Sequence, residues 1–168
     1  MALISVPIIS RDGTIAISDA TGSPITLTVQ YEDGDLSVDG FQEANMSVVP
    51  LMDRGVIYAL RKDKEEPISF SFTAHATDFT DATEKTVIDA FCKTGAFAAG
   101  VSQLGASADV WAVKLTFTAE QTNYGAGSDG TIVLTYCVAK VKFDEGVPGK
   151  FAVSGTAYPI ASAGISRT

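Results

Sequence analysis

The chain is poor in the residues that most often carry chemistry or covalent bracing. Among its 168 residues are one histidine, one tryptophan and two cysteines. A catalytic triad or a histidine-ligated metal site would have His75 alone to draw on, and no nucleophile–base motif surrounds it. His75 is therefore expected to be a hydrogen-bonding residue of a surface or interface. The chain is expected not to be an enzyme, with no catalytic residue, cofactor or bound metal. Two cysteines form one bridge at most. Cys92 falls on the apolar side of a predicted helix and Cys137 inside an apolar strand, so both are expected as buried free thiols.

Charge is scarce as well. Asp, Glu, Lys and Arg make up 19% of the chain, against roughly 25% in an average soluble domain. The deficit is mainly of bases, 12 against 20 acids, for a net charge of -8. That balance argues against a protein that grips nucleic-acid phosphates. No run approaches the roughly 18 uninterrupted apolar residues of a membrane helix. The first residues, MALISVPIISRDG, lack a basic n-region and are interrupted by Pro7, a poor secretory signal, so a cytosolic location without membrane association is expected.

What is abundant is apolar residues, at 46%, enough for one domain with a sizeable core. They alternate with period two. Ile25, Leu27, Val29 and Tyr31 fall on one face, and so do Ile68, Phe70, Phe72 and Ala74. Trp111, Val113, Leu115 and Phe117 repeat the pattern. A long strand is expected over 131–143, apolar on both faces at first, and shorter ones at 13–18, 34–38, 46–51, 55–61 and 150–158. One helix, about 82–94, has Asp81 and Glu84 at capping-box spacing and an apolar stripe of Val87, Ile88, Phe91 and Cys92, with Gly95 at its C′ position. The expected fold is mainly β, a sandwich or barrel-like domain with one flanking helix. It spans 1–168, with an N-terminal arm over about 1–12 and a C-terminal arm over about 159–168. The N-terminal arm is apolar through Leu3, Ile4, Val6, Ile8 and Ile9. The polar strand faces carry Ser and Thr more than Lys or Glu. Such faces accept either water or a close protein neighbour, and together with the apolar arm they point to self-association.

Two motifs fail on context. Gly125, Gly127 and Gly130 match the dinucleotide fingerprint, but a strand follows where a helix is required, so a hairpin loop is expected. Asp35, Ser37, Asp39 and Gly40 begin like a calcium loop, yet Met46 occupies the position of the bidentate carboxylate and no helices flank the segment. The mixed-charge run Arg61-Lys62-Asp63-Lys64-Glu65-Glu66 reads as a solvated hairpin tip.

Read in order, several segments resemble a known pattern. Gly13-Thr14-Ile15 opens a strand, and Tyr31-Glu32-Asp33-Gly34-Asp35-Leu36-Ser37 follows. Then come Asp53-Arg54-Gly55, the charged hairpin, and Pro67-Ile68-Ser69-Phe70-Ser71-Phe72. This order is similar to the major tail tube protein of long-tailed, siphovirus-type bacteriophages and to related prophage and gene-transfer-agent tails. The resemblance covers about 13–160, its specific part being 13–76. It implies a self-assembling structural protein of the virion tail, put together in the host cytoplasm. Homohexameric rings would stack into a tube that conducts DNA during ejection without binding it specifically. Tape measure and tail terminator proteins are the implied partners. Within it, Arg61, Lys62, Lys64, Glu65 and Glu66 are candidates for ring-to-ring contacts, as are the two arms. Asp33, Asp35 and Asp39 are candidates for a lumen or subunit interface. An acidic wall would repel phosphate and let DNA slide. The alternative, from another functional class, is a carbohydrate- or calcium-binding β-sandwich module.

Overall fold

The computed structural model describes residues 13–29, 35–41, 46–76, 85–122, 127–160 and 165–167. Alternation becomes strands wherever one face can be buried. They are β1 (Thr14–Ser18), β2 (Thr26–Val29), β3 (Ser37–Val38), β4 (Met46–Asp53), β5 (Val56–Glu65), β6 (Ile68–His75), β7 (Val113–Ala119), β8 (Gly130–Asp144), β9 (Lys150–Ala157) and β10 (Ile165–Arg167). Eight of them share one antiparallel sheet in the order β2-β1-β7-β8-β9-β6-β3, with β10 added beside β8. Strands β4 and β5 form a separate two-stranded sheet.

The long strand organises everything else. Its first half pairs with β7 on one side and β10 on the other, and its second half pairs with β9. Cys137 is the point of exchange, opposite both Val113 and Ala157. The inward residues of both halves nevertheless belong to one core cluster, from Ile15, Ile17, Leu115 and Leu134 to Ile68, Phe70, Phe151 and Val153. A flat sheet of eight strands could not enclose one core with a single short helix, so the two halves face each other as in a sandwich. Strands β2 and β3, at the ends of the order, do not pair with one another, and the barrel stays open among the described residues. Full burial of Ile15, Ile17, Ile68, Leu115 and Leu134 contributes about 1.5–3 kcal/mol of transfer free energy per side chain.

The helix α1 is Val87–Cys92, shorter than the spacing predicts. The candidate cap Asp81 and Glu84 lie outside the described residues. The capping box is made instead by Thr86, whose hydroxyl accepts the Asp89 N–H at 3.1 Å, while the Asp89 carboxylate accepts the Thr86 N–H at 3.3 Å. Its left-handed end residue is Lys93 (φ 57°) and not Gly95, with the Lys93 ammonium 5.2 Å from the Trp111 ring centroid. The short helix buries Val87, Ala90 and Phe91 against β8 and β2, which turns Cys92 outward. The expectation of two buried thiols therefore holds only for Cys137. Burial pushes the Cys137 thiol up to about 12, and Cys92 is exposed. Alkylation of the native protein, read by mass spectrometry, should add one label, and a second only in denaturant. Two labels added at equal rates without denaturant would contradict this burial.

Residues 165–167, within the span of the expected C-terminal arm, are among the described residues. Ile165–Arg167 is a strand of its own chain's sheet, paired with Leu134, Val133 and Ile132.

Candidate assembly surfaces

The β4–β5 ribbon is the largest departure from the alternation rule. Its turn is Arg54-Gly55, both at positive φ (47° and 87°), with Asp53 opposite Val56. That is a two-residue type I′ turn, whose second position favours glycine. The charged run is therefore not the hairpin tip. Arg61, Lys62, Lys64 and Glu65 belong to β5 itself, with Arg61 opposite Val49, Lys62 opposite Val48 and Glu65 opposite Met46. Glu66 follows in the link to β6. A ribbon with both faces open to water accepts charge at successive positions, so alternating signs mark its base and not a loop. Ser47 braces this base: its hydroxyl donates to the Asp63 carboxylate at 3.2 Å and accepts the Lys64 N–H at 3.3 Å.

Towards the tip the ribbon is apolar. Val48, Pro50 and Met52 share a face with Ile57 and Leu60 across a register shift beside Tyr58. Leu60 is 70% exposed, Tyr58 66% and Ile57 56%. Two-stranded hairpins are marginal alone in water, and contiguous exposed apolar side chains mark interaction sites.

The eight-stranded sheet presents a different surface. On the outward side, Ser37, Ser71, Ser154 and Lys140 lie in one cross-strand row. Ser69 and Thr156 follow in the next, and with Asp39 they line a groove of about 380 Å³. The other half turns out Thr14, Thr116, Thr118 and Thr131. Charge on these faces comes from Lys114, Lys140 and Lys142, the last in an ion pair with Asp144 of the same strand at 2.6 Å. Asp35 and Asp39 flank β3 at the sheet edge. The Asp35 carboxylate accepts the Thr73 N–H at 2.9 Å, and the Asp39 N–H donates to the Ser69 carbonyl at 2.8 Å. Both thus extend the ladder of a two-residue edge strand. Asp33 lies outside the described residues, as does the N-terminal arm.

At the start of β8, Asp129 closes the expected hairpin loop. The Thr122 N–H and hydroxyl and the Gln121 N–H all donate to its carboxylate at 3.0–3.1 Å and hold it below the usual carboxylate range. Its contribution to the loop is present above that range and lost as pH falls through the lowered value. His75 sits at the end of β6 opposite Lys150. Among the described residues no three His, Cys, Asp or Glu side chains gather as a metal site would require.

Among the described residues the surface features of this fold are thus an apolar ribbon, two open sheet edges and hydroxyl-bearing sheet faces. The fold is shared with chains of two anti-feeding prophage structures. A chain in the cryo-EM structure of the anti-feeding prophage cap (AFP tube terminating cap) superposes with a TM-score of 0.58, at 6% identity, over 100% of this chain and 95% of that one. A chain in the 6-fold symmetrised anti-feeding prophage baseplate superposes with 0.53, at 9% identity, over 98% and 97%. No protein-family model matches the sequence, and no curated protein matches it.

Proposed function

We propose that this chain is a structural subunit of a phage tail or tail-like particle, assembling as hexameric rings that stack into a tube. The observation that carries this reading is the β4–β5 ribbon. It is a hairpin outside the main sheet with Met52, Ile57, Tyr58 and Leu60 in water, which a neighbouring copy would cover. The whole-chain likeness to components of the anti-feeding prophage supports the same reading. The apolar end of the ribbon would be the docking part. Arg61, Lys62, Lys64, Glu65 and Glu66 at its base would add charge pairs between rings. The siphovirus-type tube, with DNA as the conducted polymer, remains the finer form of the proposal. The lumen in that form is a hydroxyl-bearing wall, with Asp35 and Asp39 at the seams between subunits and no chemical step.

Electron microscopy of the purified protein tests the reading. Rings or tubes of uniform diameter are expected. A variant with residues 48–63 replaced by a short Gly-Ser turn should keep its circular dichroism spectrum and lose the tubes. A strict monomer under all assembly conditions, or normal tubes from the shortened variant, would overturn the docking role. Calorimetric titration with calcium should give no stoichiometric heat, whereas a calcium-binding module would.

A further inference from the structure

Among the described residues strand β2 leaves one edge of the sheet open and pairs with β1 alone. The Asp19 N–H donates to the Ile25 carbonyl, so by alternation Ile25, Leu27 and Val29 direct their backbone groups to β1, and Thr26 and Thr28 direct theirs to the open side. The Thr26 carbonyl accepts the Lys85 ammonium at 3.0 Å. Thr28 has no backbone partner on that side among the described residues. Along this edge runs a groove of about 270 Å³, lined by Leu27, Val29, Ala74 and Val87 with His75 and Lys85 beside them. An open strand edge next to an apolar groove is a template for one more strand.

The chain carries a segment that fits it. In Leu3-Ile4-Ser5-Val6-Pro7-Ile8-Ile9, an extended backbone puts Ile4, Val6 and Ile8 on one face and Ser5, Pro7 and Ile9 on the other. Orientation follows from the proline. In a strand added parallel to β2, the residues whose N–H groups point to β2 turn their side chains to the face opposite Thr28, which is the core face. Ile4, Val6 and Ile8 then bond to β2 and fill the groove, while Pro7, lacking an N–H, lies in the row that points away. In the antiparallel orientation with the same three residues inward, Pro7 would face the ladder, where a donor is needed.

Reach gives the same orientation within one chain. Gly13 precedes Thr14 at the end of β1 that lies beside Val29. A strand parallel to β2 finishes at that same end. From Ile9 to Gly13 are four Cα steps, about 13–14 Å when extended, against roughly 10 Å for two strand spacings.

We propose that residues Leu3–Ile9 form an additional strand, parallel to β2, on the open edge of the same chain. The apolar N-terminal segment is then satisfied inside its own domain, and the β4–β5 ribbon is left as the apolar feature facing other copies. The proposal does not depend on tube assembly.

Cysteine pairing tests it, in a Cys92→Ser background. Ser5→Cys combined with Thr28→Cys, and Ser5→Cys combined with Thr26→Cys, place outward neighbours side by side in the two nearest registers. At least one pair should form an intramolecular disulfide under mild oxidation, seen as a monomer that resists alkylation. Ser5→Cys with Thr118→Cys, on β7 beyond β1, should not. In the otherwise unmodified chain the Thr28 amide should exchange slowly with deuterium. The triple change Ile4→Ser, Val6→Ser and Ile8→Ser should speed that exchange by roughly tenfold or more. A disulfide between chains on mixing the single variants would assign the segment to another copy and overturn the proposal. Bridging in neither register, or a Thr28 amide that exchanges equally fast in both proteins, would overturn it too.

Discussion

Asp19→Ala is expected to destabilise the fold by about 3 kcal/mol or more, because it orphans donors on two separate loops. Asp19 is 1% exposed at the end of β1. One carboxylate oxygen accepts the Ile25 N–H at 2.6 Å and the Thr21 hydroxyl at 3.1 Å. The other accepts the Val101 N–H at 3.1 Å. The side chain thereby closes the β1–β2 connection and fastens it to the Gly- and Ala-rich loop after α1, which has little regular structure to hold it. Asp19→Asn should recover part of the loss, since one amide oxygen remains while the NH₂ meets an N–H donor. Urea denaturation followed by tryptophan fluorescence measures both. A loss below about 1 kcal/mol for the alanine variant would mean that water replaces the carboxylate, against this assignment.

Gly155→Ala is the second large effect, and its cause is steric. Gly155 lies in β9 between Phe70 of β6 and Ala139 of β8. A methyl group there would sit 2.5 Å from the Ala139 Cβ, 2.6 Å from the Phe70 ring tip and 2.6 Å from the Val138 carbonyl oxygen. The ring can tilt; the carbonyl is fixed by its ladder. Overpacking of a core typically costs about 1–3 kcal/mol, and this site belongs at the upper end of that range. Shortening the ring should relieve part of it. In the double variant Gly155→Ala, Phe70→Leu, the loss should fall short of the sum of the two single losses by more than about 0.5 kcal/mol. Strict additivity would show that the strain is not shared with Phe70.

The strands were legible because their period-two pattern reports the burial of one face, and β1, β6, β7 and β9 bury alternate residues accordingly. The helix start was readable but lay elsewhere: Thr86 and Asp89 have a capping-box spacing of their own, which the Asp81–Glu84 pair obscured. The ribbon's two strands were expected at 46–51 and 55–61, but not their exposure or their separation from the main sheet. Apolar residues on both faces, as in Val48-Val49-Pro50-Leu51-Met52, are the mark of a strand buried on both sides, whereas here Val48, Val49 and Met52 are exposed. The position of the charged run was lost for a related reason, since charge signals solvent and not chain reversal. The dual pairing of β8 follows from contacts remote in sequence, which periodicity cannot report. Asp35 shows the same limit at a candidate site. Its carboxylate was a candidate for a lumen or subunit interface, and periodicity carried no sign of its bond to the N–H of Thr73, far along the chain.

The change of neighbours along β8 has a mechanical consequence. A pull along the axis of this strand loads the hydrogen bonds to β7, β9 and β10 together, in shear, so many must fail at once. A pull on the chain end beyond Arg167, directed away from the sheet, meets the short β10 ladder one bond at a time. The domain is thus stiff along the line of β8 and peels readily at its C-terminal strand, and a particle built from it would bear axial tension best where β8 lies along the load.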